Sequence, residues 1–178
     1  MIKQTMAGII SWAINTLKET VAATDVQQRL ERTVAFKVFN QFIGLSIPFV
    51  SRNGFKVVDV APGYVKALVP LQGNQNHMKT MYAGAMFLLA EVPGGVIAWF
   101  DFGQSYIPIL RDMKMEFVAM CKSDLTVEFR LPVEEIKRLK REVDEKGKIH
   151  FELMADLTDK DGKVVAKSTA RYQLRKAR

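Results

Sequence analysis

One cysteine, Cys121, is all the sequence offers, so no internal disulfide can form and stability must come from packing. A reducing compartment follows as the simple expectation, with a cytoplasmic location. The two histidines, His77 and His150, stand far apart, and a single thiol adds too little to make a metal-ligand cluster. No metal or cofactor is therefore expected. Basic blocks interleaved with aromatics are also missing, although 26 Lys and Arg against 19 Asp and Glu leave a net charge of +7. The scatter disfavours nucleic acid as a partner. The positive balance suits small anions, phosphorylated ones included. Internal repeats and low-complexity tracts are absent.

Two stretches raise the question of a membrane. Residues 5–14 are mostly apolar and follow Lys3, but Met6, Ile10, Ala13, Leu17 and Val21 recur at helical spacing, and Lys18 and Glu19 interrupt the run. An amphipathic helix explains this better than an export signal. Residues 81–100 carry a single charge, on Glu91, and contain Pro93-Gly94-Gly95. A carboxylate at mid-bilayer is costly, so a buried helix of a soluble domain is expected there and no stable membrane insertion.

With 48% apolar and 25% charged residues, the chain reads as one globular domain of 51–178 with a helical extension of 1–50. The extension holds a helix over about 2–23 and a second from Asp25 to about Ile43. Thr24 with Gln27 is its expected capping box, Leu30, Val34, Val38 and Phe42 its apolar stripe, and Gly44 its stop. Residues 46–53, with Pro48, read as a loop. Residues 55–61 and 64–69 read as a hairpin around Pro62-Gly63, and a helix from about Met81 to Val92 follows a polar loop. Strands are expected over 107–120 and 125–131. A charged helix over 133–145 has Ile136, Leu139 and Val143 on its narrow apolar edge and i,i+4 pairs at Glu134–Arg138 and Arg138–Glu142. Ile149, Phe151, Leu153, Ala155 and Leu157 alternate with polar residues, the chain turns at Asp159-Lys160-Asp161-Gly162, and a return strand follows. One apolar helix among antiparallel strands predicts an α+β domain with the sheet wrapped around that helix.

Glu91 is the informative residue. It is the one charged side chain between Lys79 and Asp101 in an otherwise almost wholly apolar segment. A buried carboxylate must be paired, protonated or put to use. Desolvation raises its pKa, which suits a general base near neutrality. The structural alternative, a helix-end acid reaching water beside Pro93, weighs equally on the residues alone.

The run from Asn76 through His77, Met81, Tyr82, Ala83, Gly84 and Phe87 to Leu89-Ala90-Glu91 resembles hotdog-fold thioesterases of the phenylacetic-acid-degradation type. Those proteins carry an Asn, a His-Gly-Gly opening the central helix, and Leu-Ala-Asp or Leu-Ala-Glu seven residues after the second Gly. Asn76, Gly84 and Leu89-Ala90-Glu91 fall in register, and a looser likeness extends over about residues 54–175, with Met115-Glu116-Phe117 and Asp161-Gly162-Lys163-Val164-Val165-Ala166. Tyr82-Ala83 stands where His-Gly is usual, so the role of that histidine does not carry over, and His77 is a neighbour outside the matching position.

The resemblance implies a hotdog fold and hydrolysis of acyl thioesters, acyl-coenzyme A among them, with Glu91 as general base or nucleophile. The Gly84 amide at the helix N-terminus would polarise the carbonyl. Asn76 would orient water, unless it only bonds its own loop. Tyr82, Ala83, His77, Met81 and Phe87 would border the substrate, although for Met81, Met86 and Phe87 a plain core is the stronger reading. Lys79, Arg111 and Lys114 are the cations that could meet coenzyme A phosphates. Gly84 and Glu91 are about 10.5 Å apart along one helix, too far to share one carbonyl. Antiparallel helices from two subunits would bring one Gly84 to the other Glu91, so a homodimer or a dimer of dimers is expected. Against hydrolysis stand a non-catalytic acyl-coenzyme A-binding regulator, a dehydratase (which would need the histidine that Tyr82 replaces) and attachment of residues 2–23 to a membrane surface.

Overall fold

The computed structural model describes residues 2–177, with side chains from Met6 onward. Helices α1 (Ile2–Glu19), α2 (Val26–Ser46) and the short α3 (Pro48–Arg52) precede the hairpin β1 (Lys56–Ala61) and β2 (Tyr64–Val69). Next come α4 (Ala83–Ile97), β3 (Tyr106–Phe117), β4 (Leu125–Arg130), α5 (Val133–Lys146), β5 (Lys148–Thr158) and β6 (Val164–Lys176). The six strands form one sheet in the order β1-β2-β4-β5-β6-β3, every neighbouring pair antiparallel. Its inner face wraps α4 in a hotdog arrangement, the α+β fold expected above.

The extension departs from its expected details for physical reasons. Asp25, not Thr24, caps α2: its carboxylate accepts the Gln28 N–H at 2.8 Å. The helix passes through Gly44 to Ser46, and Pro48 then starts α3 where a loop was expected, since a proline is well suited to the first helical position. The fully buried stripe of α2 is Ala35, Phe39 and Ile43; of the expected stripe, Val38 and Phe42 pack half-buried against the core, whereas Val34 and the 64% exposed Leu30 face outward. Two polar side chains choose between these faces. Arg32 donates to the Leu17 carbonyl, the Val60 carbonyl and the Asp59 carboxylate, at 2.8–2.9 Å. Asn40 accepts the Val57 N–H at 2.7 Å and donates to the Val57 carbonyl at 2.9 Å. Both contacts require this side of α2 to face inward, and the packing residues follow. On α1, Ile10, Ala13 and Leu17 are buried as expected, while Met6 and Val21 are exposed.

Helix α4 also runs further than its sequence predicts. Pro93-Gly94-Gly95 does not end it; the helix continues to Ile97 and into a π-helical segment, Ala98–Phe102. The cause lies on β6. Tyr172, fully buried and stacked on Phe151, donates its hydroxyl to the Glu91 carbonyl at 2.6 Å. A Cβ on Gly94 would stand 2.2 Å from the Tyr172 ring, so only glycine allows helix and strand to approach this closely. The stretch Ala83–Phe102 is apolar and long enough to cross a membrane, but 67% of its most apolar window is buried in the protein, which makes it the core helix of this fold.

On α5, Ile136, Leu139 and Val143 are buried as expected. Arg138 pairs with Glu142 and with Glu135, while Glu134 pairs with Lys137 instead of Arg138. The β5–β6 hairpin closes as predicted: the Asp159 carboxylate accepts from the Asp161 and Lys163 N–H groups, and Gly162 takes φ +79°.

The Gly94–Tyr172 contact gives a direct check. Gly94→Ala is expected to lower stability by about 1–3 kcal/mol through overpacking. Urea denaturation should show it as a lower midpoint, and an unchanged midpoint would remove this contact from the account of the fold.

Candidate active site

Helix α4 is buried on every side but one. Its incompletely buried residues are Ala83, Gly84, Phe87, Glu91 and Gly95, continued by Trp99 in the π segment, and they recur at three- to four-residue spacing as a single stripe. The sequence-predicted Gly84 and Glu91 therefore share the open face.

At its N-terminal end, Tyr82 caps the helix through its backbone. The Tyr82 carbonyl accepts the N–H groups of Ala85 and Met86, at 3.0 and 3.3 Å. Among the described residues, the Ala83 and Gly84 N–H groups have no acceptor, which leaves two donors at the positive end of the helix dipole. The Tyr82 side chain is 58% exposed, and its ring lies over Gly84, where a Cβ would stand 2.5 Å away. Buried Asn74 holds this end in place. Its side-chain amide donates to the Asn53 and Pro70 carbonyls at 2.8 Å, and its backbone carbonyl accepts the Tyr82 N–H at 2.8 Å. Sequence reasoning passed over Asn74, whose one clue was a polar residue inside an ordered-looking Gly-Asn turn.

Two turns along the stripe, the half-buried Glu91 carboxylate has neither an ion pair nor a hydrogen bond among the described residues. Desolvation raises its pKa above the ordinary 4.5. It borders an apolar cavity of about 230 Å³ between α4, the end of α2 and the start of β3, walled by Ile43, Ile47, Gly95, Trp99 and Ile107 among others. Trp99 is held by the Phe42 ring, with centroids 5.3 Å apart. Larger, more open hollows elsewhere do not include Glu91 in their lining.

The other predicted residues divide. Asn76 serves its own loop: its Oδ1 accepts the Met78 and Thr80 N–H groups at 2.9 and 3.2 Å, and its Nδ2 donates to the Thr80 hydroxyl at 2.9 Å. His77 and Lys79 are exposed in that loop, and Lys79 takes φ +59°. Met81 and Met86 are buried in the core and do not line the Glu91 cavity, whereas Phe87 is on the open stripe and meets Phe117 edge-on at 6.1 Å. Arg111 and Lys114 are exposed on β3, away from the cavity lining. Among the described residues, no group of three or more His, Cys, Asp or Glu could hold a metal ion.

A second half-buried acid lies off the stripe. Asp101 accepts the Gly63 N–H with both oxygens, at 3.1 and 3.2 Å, tying the end of the central helix to the β1–β2 turn. Desolvation raises its pKa to about 6, opposed by the Gly63 bond and by the charge of Lys18.

The sequence profile of DUF4442, a domain of unknown function, matches residues 35–174. A Pseudomonas aeruginosa structure, named a protein of unknown function and "probable thioesterase", is 42% identical over 77% of this chain and 93% of its own, with a TM-score of 0.73. A Chlorobaculum tepidum protein of unknown function superposes with a TM-score of 0.70 at 17% identity, covering 77% of this chain and 91% of its own. A Haemophilus influenzae thioesterase does so at 0.63 and 14%, covering 79% and 90%. These last two establish the fold alone. No curated protein matches the sequence.

Asp101 yields a prediction for stability against pH. Its pKa is 3.8 ordinarily and about 6 in the fold, so between these values the folded chain keeps a proton that the unfolded chain has lost. Its contribution is full below the lower value and is lost as pH rises through the upper one. Thermal melts should show stability falling across that window, with a shallower fall in Asp101→Asn. An identical slope in the variant would assign the titration to another group.

Proposed function

The chain belongs to the DUF4442 family, and we propose that it is an acyl-thioester hydrolase acting on acyl-coenzyme A, with Glu91 as general base. The relative named a probable thioesterase supports the reaction class. The observation that carries the reading is the unpaired Glu91 carboxylate, at the edge of an apolar cavity and on the same open stripe as two unused helix N-terminal amides.

The chemistry follows from these parts. The Gly84 N–H, helped by the helix dipole, stabilises negative charge on the thioester oxygen as it forms. Glu91, its affinity for protons raised by burial, takes a proton from water while the hydroxyl adds to the acyl carbon. As the tetrahedral intermediate collapses, the C–S bond breaks and the proton on Glu91 passes to the departing thiolate. A free carboxylic acid and a thiol result. Tyr172, bonded to the Glu91 carbonyl, fixes the helix beneath the carboxylate and acts as a positioning residue.

Gly84 and Glu91 lie seven residues apart on one helix, too far to serve one carbonyl. The sheet offers the remedy. β1 and β3 are its edges, and α2 covers β1 through Asn40, while no strand pairs with the outer side of β3 among the described residues. Pairing β3 with β3 of a second copy would place the two α4 stripes side by side, Gly84 of each facing Glu91 of the other.

Three measurements test this. Thiol release from a panel of acyl-coenzyme A thioesters should fall by about 10²–10⁴-fold in Glu91→Gln and Glu91→Ala. The wild-type rate should rise with pH through a midpoint above 4.5. Retained activity in Glu91→Gln would sink the assignment. Coexpressing Gly84→Val with Glu91→Gln, each inactive alone, should restore about a quarter of wild-type activity, because half the dimers are mixed and each has one intact site. No recovery would place both groups' work within one chain.

A further inference from the structure

Of the adjacent glycines in α4, only one has a packing reason to be glycine. Gly94 lies against Tyr172, where a side chain collides; a Cβ on Gly95 meets no heavy atom within 4 Å, and its φ is not positive. Glycine inside a helix costs about 1 kcal/mol relative to alanine. Gly95 thus carries a cost that the packing does not require. What its missing side chain leaves is room: Gly95 lines the Glu91 cavity one helical turn beyond the carboxylate.

The rest of the cavity suits an apolar occupant of limited length. Among the described residues, Glu91 is the only charged one lining it, and a water inside needs two to four polar partners to be stable there. Ile43 and the 41% exposed Ile47 line one side, and Trp99, braced by Phe42, lines another. The volume is about 230 Å³. At roughly 30 Å³ per water-sized group, it takes about seven or eight such groups.

We propose that this cavity seats the acyl tail and that Gly95 sets its permitted length, making the substrates medium-chain acyl thioesters of up to about eight carbons. The proposal rests on the thioester reading above and adds the substrate class to it. The thioester end lies at Glu91 and the tail passes Gly95 toward Ile47 and Trp99. The wall that limits the tail comes from α2, so the helical extension contributes to specificity.

The test uses S-alkyl-coenzyme A thioethers, from ethyl to hexadecyl, which bind but cannot be hydrolysed. They are titrated calorimetrically against wild type, Gly95→Ala, Gly95→Leu and Ile47→Ala, and the matching thioesters are assayed for thiol release. Wild-type affinity should climb to about octyl length and then level off. Each methylene denied the cavity should weaken binding about fourfold. In Gly95→Leu the octyl-to-butyl affinity ratio and the corresponding kcat/KM ratio should both fall by about tenfold. Gly95→Ala should shift the ratios the same way by less while keeping at least the wild-type denaturation midpoint, and Ile47→Ala should move the plateau to longer chains. Should Gly95→Leu fail to fold, the Gly95→Ala and Ile47→Ala pair decides. Identical chain-length dependence in wild type and variants overturns the proposal, even if Glu91-dependent hydrolysis is intact. A dependence that the variants shift, with no thiol released from any thioester, upholds the cavity assignment and overturns hydrolysis instead.

Discussion

The fold is governed by a helix that tolerates water on only one narrow strip. The residues of α4 are apolar almost all round, so the sheet must curl about it and α2 must close over what the sheet leaves open. Enclosure is tight enough that Tyr172 of β6 reaches the helix backbone itself, which needs a glycine at position 94. That contact sets both the depth and the rotation of α4. The strip bearing Gly84, Glu91 and Gly95 is therefore a product of packing before it is a feature of chemistry.

The extension shows how polar contacts direct apolar ones. On α2 two apolar rows compete, and hydrophobicity alone does not rank them. Arg32 and Asn40 each satisfy backbone groups of β1, and Arg32 also reaches the end of α1. Any rotation of α2 would leave these groups unpaired, at a cost comparable to burying a hydrophobic side chain. Once the helix is held this way, Phe39 enters the core and Ile43 is brought to the wall of the cavity beside Glu91.

Much of this was legible in the sequence. Strict alternation in β5 and β6 gave their register face, the period change near Phe55 marked the start of the sheet, and a lone acid in an apolar run pointed to Glu91. What was not legible has a common physical cause: it depends on residues far apart in the chain. The continuation of α4 past Pro93 depends on Tyr172, and the inward face of α2 depends on β1 and α1. The cavity draws on three elements at once, so Ile43, Ile47 and Gly95 gave no local sign of belonging with Glu91. At Asn76 the motif position and the loop chemistry pointed in different directions, and its side chain is bonded within its own loop.

The amide of Asn40 meets Val57 as a neighbouring strand would, offering one donor and one acceptor to a single residue of β1. A side chain thus stoppers one margin of the sheet, and growth by strand addition is left with a single direction. Two copies joined through β3, as proposed above, would consume both available margins and present only stoppered ones outward. The same device that orients α2 would thereby make such an assembly finite, ending at a pair where a sheet open on both sides could have grown into a fibre.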